Sequence, residues 1–177
     1  MLIAIIGPDG SGKTTYAKYI HSYMKSKGMK ASYRELNYGF LPRISSILNI
    51  FRKTKKLLKE PEGEFHSGFK SPPYNPIKAS ILALYWSIDY ALLRIYSALN
   101  PERVFVFARY SFDYSFLYGY RLLPSILKSF IIAVAPTPSQ TFYISRHPSA
   151  IYLAKPELPL HIINKTKGII ESMQSKY

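Results

Sequence analysis

The sequence alternates between short apolar runs and longer segments in which apolar residues recur every three or four positions. Short runs rich in β-branched and aromatic residues predict strands, whereas the longer spacing predicts amphipathic helices. Strands separated by helices favour one parallel sheet that is covered on both faces. We therefore predict an α/β fold with a five-stranded parallel sheet flanked by helices. The predicted strands are Leu2–Ile6, Ala31–Leu36, Arg103–Phe107, Thr141–Ile144 and Leu160–Ile163.

Helical spacing covers most of the remaining chain. The segment Pro42–Lys59 has a basic second half, which is either a solvated face or a patch that meets phosphates, and residues 60–76 predict a loop. The segment Ile77–Leu99 is apolar on nearly every side, so we expect it to be largely buried or to donate a face to a homodimer. Its acid, Asp89, is then paired inside, faces a pocket or lies on a thin exposed strip. The predicted helices are Thr14–Lys27, Pro42–Lys59, Ile77–Leu99, Pro124–Val134, Pro148–Leu153 and Lys165–Lys176.

The strongest chemical signal lies between the first predicted strand and the first predicted helix. Residues 7–15 read GPDGSGKTT and match G-x-x-x-x-G-K-[ST], the pattern of a phosphate-binding loop. Glycines let the backbone approach an anion, and the N–H groups at the start of the helix point toward it. We expect Lys13 to reach the β- and γ-phosphates of a nucleoside triphosphate, and the Thr14 hydroxyl to bind Mg²⁺. The other residues expected to line the nucleotide are Gly7, Pro8, Asp9, Gly10, Ser11, Gly12 and Thr15.

Composition narrows the class of protein. The chain has 177 residues, which favours a single domain, and a net charge of +14, which attracts nucleotides, nucleic acids or acidic membranes without selecting among them. A solubilising surface explains that charge equally well. The absence of cysteine excludes disulfides, a thiolate nucleophile and Cys-based zinc sites. Apolar runs are too short for a membrane span and the N-terminus lacks a signal-peptide pattern, so we expect a soluble, cytoplasmic protein.

Several segments resemble thymidylate kinases, members of the P-loop nucleoside monophosphate kinase superfamily. The loop GPDGSGKTT looks like theirs, and Ala108-Arg109-Tyr110 stands where the family has Asp-Arg-Tyr after its third strand. Arg34-Glu35 is similar to the start of the family's Arg-Glu-Pro-Gly-Gly segment. Thr141–Ile144 followed by His147–Ala150 is similar to its fourth strand and Pro-Glu-x-Ala helix start. The resemblance implies a three-layer P-loop kinase fold over residues 1–177 and Mg²⁺-dependent phosphoryl transfer from ATP to dTMP.

The resemblance also implies roles for individual side chains. In that family the acid matching Asp9 contacts the sugar hydroxyl of the acceptor, and the arginine matching Arg34 contacts the acceptor phosphate. Arg109 is expected between donor and acceptor, so Lys13, Arg109 and Asp9 are the expected catalytic residues. Aromatic rings able to stack on a base are Phe40, Tyr110, Tyr114 and Tyr118, of which Phe40 and Tyr110 are assigned to the acceptor site.

Some positions depart from the family pattern. Ala108 lacks the expected carboxylate, which Asp113 or Asp89 would then have to supply. Asp89 is followed by Tyr90, whereas the family carries Asp-Arg in this region. The residues available as a lid over the substrates are Tyr152–Pro159, so the cation of this lid would come from Lys155, or from Arg146 just before it. Three alternatives to an active thymidylate kinase therefore remain. They are a nucleotide-binding protein with weak or no kinase activity, a protein with a different phosphate acceptor, and a protein with a nucleic-acid partner.

Overall fold

Four parallel strands, paired in the order β2-β3-β1-β4, form the centre of the structure. The computed structural model describes residues 1–42, 75–117, 120–156 and 160–174. Because all pairs are parallel, the carboxyl ends of the strands lie along one edge of the sheet. The chain leaves β1 and β3, which are neighbours, at this edge. The strands are β1 (Leu2–Ile6), β2 (Ala31–Arg34), β3 (Val104–Phe107) and β4 (Gln140–Tyr143).

Helices cover both faces of the sheet because alternate strand residues point to opposite sides. On one face, α1 (Lys13–Ser26) packs Ala17 and Ile20 against apolar strand residues such as Ile5 and Val106. On the other, α2 (Pro76–Leu99) and α3 (Ser125–Val134) pack against Phe105 and Phe107, among others. The continuous apolar run of β1 follows from its burial on both faces. The predicted α/β class with a parallel sheet between helices is confirmed.

Local signals in the sequence fix the start of α2. Asn75 precedes the helix, and its side-chain oxygen accepts a hydrogen bond of 2.7 Å from the Lys78 N–H. Pro76 occupies the first helical position, where a missing N–H has no cost.

After β3, residues Ser111–Ser115 form a 3₁₀ helix.

The prediction of a fifth strand is wrong. Leu160–Ile163 is the first turn of helix α5 (Leu160–Gln174), which follows α4 (Pro148–Ala154). Ile163 and Ile170 are buried and lie seven positions apart, so this segment has helical spacing, and Ile163 packs against Ile151 of α4. A run of four apolar residues does not distinguish a strand from a helix turn. Within the described residues the sheet has four strands.

The expectation that the helix at residues 77–99 is largely buried is wrong for one of its faces. Ala79, Ala83, Tyr90 and Leu93 are buried against the sheet side. The opposite side exposes an apolar stripe, which consists of Ile77, Ile81, Leu84, Ile88, Leu92, Ile95 and Leu99.

Two expectations lie largely outside the described residues: the basic helix Pro42–Lys59 and the loop at residues 60–76. None of the helices that the structure describes is both long and apolar enough to cross a membrane.

Candidate phosphate-binding site

The glycine-rich loop joins the carboxyl end of β1 to the N-terminus of α1. Gly7 has no room for a side chain, since a Cβ atom there would lie 2.7 Å from the Ile144 carbonyl oxygen. Gly10 and Gly12 have φ values of +85° and +101°, which side chains rarely tolerate. A Cβ on Gly12 would meet nothing within 4 Å, so space is open in front of the helix start. Because Gly12 has no side chain to cap α1, the first N–H groups of the helix are suited to an anion.

Lys13 lies at the first position of α1 and is 5% exposed. Its Nζ donates hydrogen bonds of 2.7 Å to the carbonyl oxygens of Gly7 and Pro8, and one of 3.3 Å to Asp9 Oδ1. Burial lowers the pKa of Lys13, and the negative charges of Asp9 and Asp113 partly oppose this effect. The ammonium group is therefore held at the loop by backbone carbonyls and surrounding carboxylates.

Asp9 and Arg109 form an ion pair across the site. Arg109 Nη2 donates to Asp9 Oδ1, the same oxygen that accepts from Lys13. Burial acts to raise the pKa of Asp9, but the charges of Lys13 and Arg109 outweigh it, so that pKa is lowered. The structure thus brings together the three predicted catalytic residues, at the adjacent ends of β1 and β3.

A second carboxylate, Asp113, lies close to the same cations. It is fully buried, and its Oδ2 accepts a 2.9 Å hydrogen bond from the Tyr110 N–H. Among the described residues, its Oδ1 has no hydrogen-bond partner. Burial raises the pKa of Asp113 to about 6, against the opposing charges of Lys13 and Arg109.

Ala108 leaves no carboxylate at the end of β3. Its side chain is buried with Ile5, Ala17 and Val106 on the face of the sheet covered by α1. Its N–H donates a 3.0 Å hydrogen bond to the Arg34 carbonyl oxygen, which continues the β2–β3 pairing. Position 108 therefore belongs both to the hydrophobic core and to the carboxyl end of β3.

Arg34 lies at the end of β2 and is exposed. Its Nε donates to the Tyr38 carbonyl oxygen at 2.8 Å, its Nη1 donates to the Tyr33 carbonyl oxygen at 2.9 Å, and its guanidinium lies over the Tyr38 ring. These contacts hold Arg34 against its own turn. The structure does not give it a contact with Asp9, Lys13 or Arg109 among the described residues.

Tyr33 is a site residue that the sequence analysis did not identify. Its hydroxyl donates a 2.5 Å hydrogen bond to Glu35 Oε1. Burial, and next this hydrogen bond, raise the pKa of Tyr33, whereas an interaction with the Thr14 side chain acts to lower it. Tyr33 is therefore paired with Glu35 at the end of β2. The sequence feature that could have drawn attention to Tyr33 is its position directly before Arg34-Glu35.

The two candidate cations of the lid both lie against the loop. Arg146 Nη1 is 3.4 Å from the Gly10 carbonyl oxygen. A Cβ added to Gly10 would lie 3.4 Å from Lys155 Cγ, and the charge of Lys155 contributes to the lowered pKa of Asp9. Residues 157–159, which complete the predicted lid, lie outside the described residues.

Three of the four aromatic rings proposed to stack on a base pack against other parts of the protein, and their role toward a base stays a prediction. Tyr110 is buried against Tyr90 and Phe107, and its hydroxyl donates to the Pro136 carbonyl oxygen. Tyr114 is buried, and its hydroxyl donates to Asn37 Oδ1. Phe40 is 40% exposed and packs on Tyr38 and Tyr96. Tyr118 lies outside the described residues.

Of the three placements considered for Asp89, the structure shows the first: its side chain is paired in the protein interior. It is fully buried on α2 and accepts hydrogen bonds from consecutive backbone N–H groups in the turn after β2. The nearest distances are 2.7 Å from Tyr38, 3.1 Å from Gly39, 2.7 Å from Phe40 and 3.2 Å from Leu41. Asp89 therefore anchors this turn and does not replace the carboxylate missing at Ala108.

The loop fits a nucleotide with its magnesium ion. No group of three or more His, Asp or Glu side chains in the described part of the chain forms a metal site by itself. Mg²⁺ that enters with a nucleotide takes most of its ligands from phosphate oxygens and water and needs few protein ligands. Thr14 is exposed at the start of α1, where its hydroxyl can serve as one such ligand.

Comparison with known proteins supports the fold. No protein-family model matches the sequence, and no curated protein sequence matches it. The structure is similar to the crystal structure of thymidylate kinase from Ehrlichia chaffeensis, with a TM-score of 0.57 and 17% sequence identity. The match covers 99% of this chain and 81% of that chain. The chain therefore shares an α/β fold with this thymidylate kinase.

Proposed function

We propose that this protein is a nucleoside monophosphate kinase that transfers the γ-phosphoryl group of ATP to dTMP. The observation that carries the proposal is the shared carboxylate oxygen of Asp9, which accepts from Lys13 on the loop and from Arg109 after β3. This cluster joins the expected donor site to the expected acceptor site. A phosphoryl-transfer enzyme acts mainly by such positioning and by stabilising charge.

The donor side rests on the loop and the start of α1. The N–H groups around Gly12 are suited to the phosphates of ATP, and Lys13 exchanges the carbonyls of Gly7 and Pro8 for phosphate oxygens. The Thr14 hydroxyl would hold the Mg²⁺ that accompanies ATP, and this ion would supply positive charge to the phosphates.

On the acceptor side, Asp9 binds the sugar hydroxyl of the monophosphate, and Arg109 lies between the two substrates. Arg34 turns from the Tyr38 carbonyl toward the acceptor phosphate. An oxygen of that phosphate attacks the γ-phosphorus, and the bond from this phosphorus to the β–γ bridging oxygen breaks. The products are ADP and a nucleoside diphosphate. Arg146 and Lys155, beside Gly10, supply positive charge as the transferred group passes between the substrates.

The choice of dTMP rests on the family resemblance and on the solved thymidylate kinase whose fold this chain shares. A panel of nucleoside monophosphates with Mg-ATP tests it through ADP formation. We expect dTMP to give the highest rate. If no monophosphate raises ADP formation above the rate without acceptor, the proposal fails.

A second candidate is a nucleotide-binding protein with little phosphoryl transfer. It is favoured by Ala108, which places a methyl group where a kinase of this type holds a carboxylate. The variant Ala108→Asp separates the two. A large gain in transfer identifies the natural chain as a weak catalyst, whereas high activity in the unmodified protein shows that another residue supplies the carboxylate.

A homodimer is also part of the proposal. The exposed stripe on α2 repeats every three or four residues, from Ile77 to Leu99, as helix faces that pair with a second helix do. Sedimentation of wild type and of Ile88→Glu, a change at an exposed position of α2, tests this. A wild-type dimer that Ile88→Glu converts to a monomer supports it, and a wild-type monomer at micromolar concentration contradicts it.

A further inference from the structure

The turn after β2 is strained and does not keep its shape by itself. Leu36 has a φ of +60°, in the left-handed region that side chains rarely adopt. The Tyr90 hydroxyl donates to the Leu36 carbonyl oxygen. Asp89, one position earlier on α2, accepts from the N–H groups of Tyr38–Leu41. Because backbone strain of this kind persists only where surrounding contacts fix it, helix α2 imposes the conformation of this turn.

The peptide group between Tyr38 and Gly39 connects Asp89 to Arg34. Its N–H, which belongs to Gly39, donates to Asp89 Oδ2 at 3.1 Å. Its carbonyl oxygen, which belongs to Tyr38, accepts from Arg34 Nε at 2.8 Å. A trans peptide group is planar, and its N–H and C=O point in opposite directions. The bond to Asp89 therefore fixes the direction in which this carbonyl oxygen faces Arg34.

We propose that Asp89 is a positioning residue for the acceptor phosphate, and that it acts on Arg34 through the Tyr38–Gly39 peptide group. The assignment of Arg34 to the acceptor phosphate rests on the proposed function, whereas the contacts that hold Arg34 belong to the free protein. An anchor of the fold alone requires neither a fixed direction of this carbonyl nor a cation bound to it.

Arg34 gains a defined position from this arrangement. Its Nη1 donates to the Tyr33 carbonyl oxygen at 2.9 Å, and its guanidinium carbon lies 5.1 Å from the centre of the Tyr38 ring. An exposed arginine without such contacts samples many rotamers, and ordering it when a phosphate binds costs free energy. The turn keeps Arg34 at the carboxyl end of β2, at the edge of the sheet where the phosphate-binding loop also lies. Much of that ordering is therefore complete before the acceptor arrives.

A carboxylate suits this role because both of its oxygens accept from the turn. Asp89 Oδ2 accepts from Tyr38, Oδ1 accepts from Phe40 and Leu41, and the Gly39 N–H is shared by both oxygens. In Asp89→Asn one oxygen becomes an NH₂ group, which cannot accept a hydrogen bond. Whichever oxygen is replaced, the Gly39 N–H loses one acceptor and the negative charge. Because the two side chains have nearly the same shape, this variant changes the hold on the turn and leaves the packing of α2 in place.

The test in the free protein follows the Arg34 side chain by NMR of its isotope-labelled Nε–H group. The Arg34 signal is the one absent from Arg34→Lys. We expect the exchange of this proton with water to be about threefold faster or more in Asp89→Asn than in wild type, because its carbonyl acceptor is no longer fixed. The Nε–H signal of Arg94, which lies on α2 outside the turn, is the internal reference and keeps its exchange rate.

Tyr85→Phe is the matched control. The Tyr85 hydroxyl donates to the Pro42 carbonyl oxygen at 2.7 Å and so ties the far end of the same turn to α2. Its removal loosens the turn without touching the Tyr38–Gly39 peptide group, so Arg34 should exchange at the wild-type rate. Equal acceleration in Tyr85→Phe and Asp89→Asn, or none in Asp89→Asn, overturns the proposal. If Asp89→Asn and Asp89→Ser both fail to fold, Asp89 is an anchor of the fold and the proposal is wrong.

Acceptor kinetics provide a second criterion. If the protein is a kinase, Asp89→Asn raises the KM for dTMP about tenfold, with smaller changes in kcat and in the affinity for ATP. In an Arg34→Ala background the same substitution has no further effect, because Asp89 acts through Arg34. An equal rise in KM in both backgrounds contradicts the proposal.

The outcome is separable from that of the kinase proposal. The exchange measurement requires neither ATP nor an acceptor, so a protein without kinase activity still shows the faster exchange of Arg34 in Asp89→Asn. A kinase in which Asp89→Asn leaves this exchange unchanged overturns the positioning role alone.

Discussion

Arg109 and Asp9 stand one hundred positions apart in the sequence and form an ion pair at the mouth of the phosphate-binding loop. The pairing depends on topology: β1 and β3 are neighbours in a parallel sheet, so the residues that follow them meet at the same edge. Lys13 shares the same Asp9 oxygen at 3.3 Å. One carboxylate thus couples the loop to the segment after β3.

Removal of Arg109 is expected to weaken acceptor binding more than donor binding. In Arg109→Ala, Asp9 keeps only Lys13, so the KM for dTMP rises at least tenfold while the affinity for ATP changes less. Because both side chains are about 30% exposed, the stability loss is about 1 kcal/mol or less. Steady-state kinetics and urea unfolding measure the two effects, and equal losses of donor and acceptor affinity would contradict the assignment.

Lys13→Ala is expected to reduce ATP affinity about a hundredfold, because the ammonium group makes charge-assisted hydrogen bonds to phosphate. Lys18→Ala is the matched control, since Lys18 lies on the same helix but is exposed. Titration with a fluorescent ATP analogue measures both variants. Similar affinities for the two would show that nucleotide binds elsewhere.

Asp89→Ala is expected to lower the free energy of unfolding by about 3 kcal/mol, because several backbone N–H groups from Tyr38 to Leu41 lose a charged acceptor. Asp89→Asn keeps one acceptor oxygen and is expected to lose less. Glu171→Ala, which removes an exposed ion pair with Lys167, serves as control and changes stability by about 0.5 kcal/mol or less. A loss for Asp89→Ala no greater than that of the control would refute the anchoring role.

Stability is expected to depend on pH through Asp113. Burial raises its pKa from 3.8 to about 6 in the folded protein, so the native state retains a proton that the unfolded state has lost. Its stabilising contribution is complete below pH 3.8 and is lost as pH rises through about 6, a change of about 3 kcal/mol.

Urea unfolding of wild type and Asp113→Asn on both sides of this range measures the effect. We expect Asp113→Asn to gain stability relative to wild type as pH rises. A stability difference between the two proteins that does not vary with pH would argue against a raised pKa.

The sequence predicts the parts of the site that depend on local chemistry. The order of Gly7, Gly12 and Lys13 is set by the geometry of a strand, a tight turn and a helix, so the loop can be inferred from the residues alone. The meeting of Asp9 with Arg109 was expected only through family resemblance, since it depends on which strands are neighbours.

Tertiary contacts explain what could not be predicted. The segment Leu160–Ile163 is apolar enough for a strand, but the burial of Ile163 and Ile170 requires helical spacing. For Asp89, three placements remained open because the sequence does not show that the turn after β2 packs on α2. Phe40 was assigned to the acceptor as a ring able to stack on a base. The sequence did not show that this ring packs on Tyr38 and Tyr96, and the assignment to the acceptor stays a prediction.

The central claim is tested most directly by following the phosphoryl group itself. Purified protein is incubated with Mg-ATP radiolabelled at the γ-phosphate and with dTMP, and the nucleotides are separated, with Lys13→Ala and Lys18→Ala treated in parallel. We predict that label appears in dTDP with wild type and with Lys18→Ala but not with Lys13→Ala. Label that stays in ATP, or that appears only as inorganic phosphate, would contradict the account.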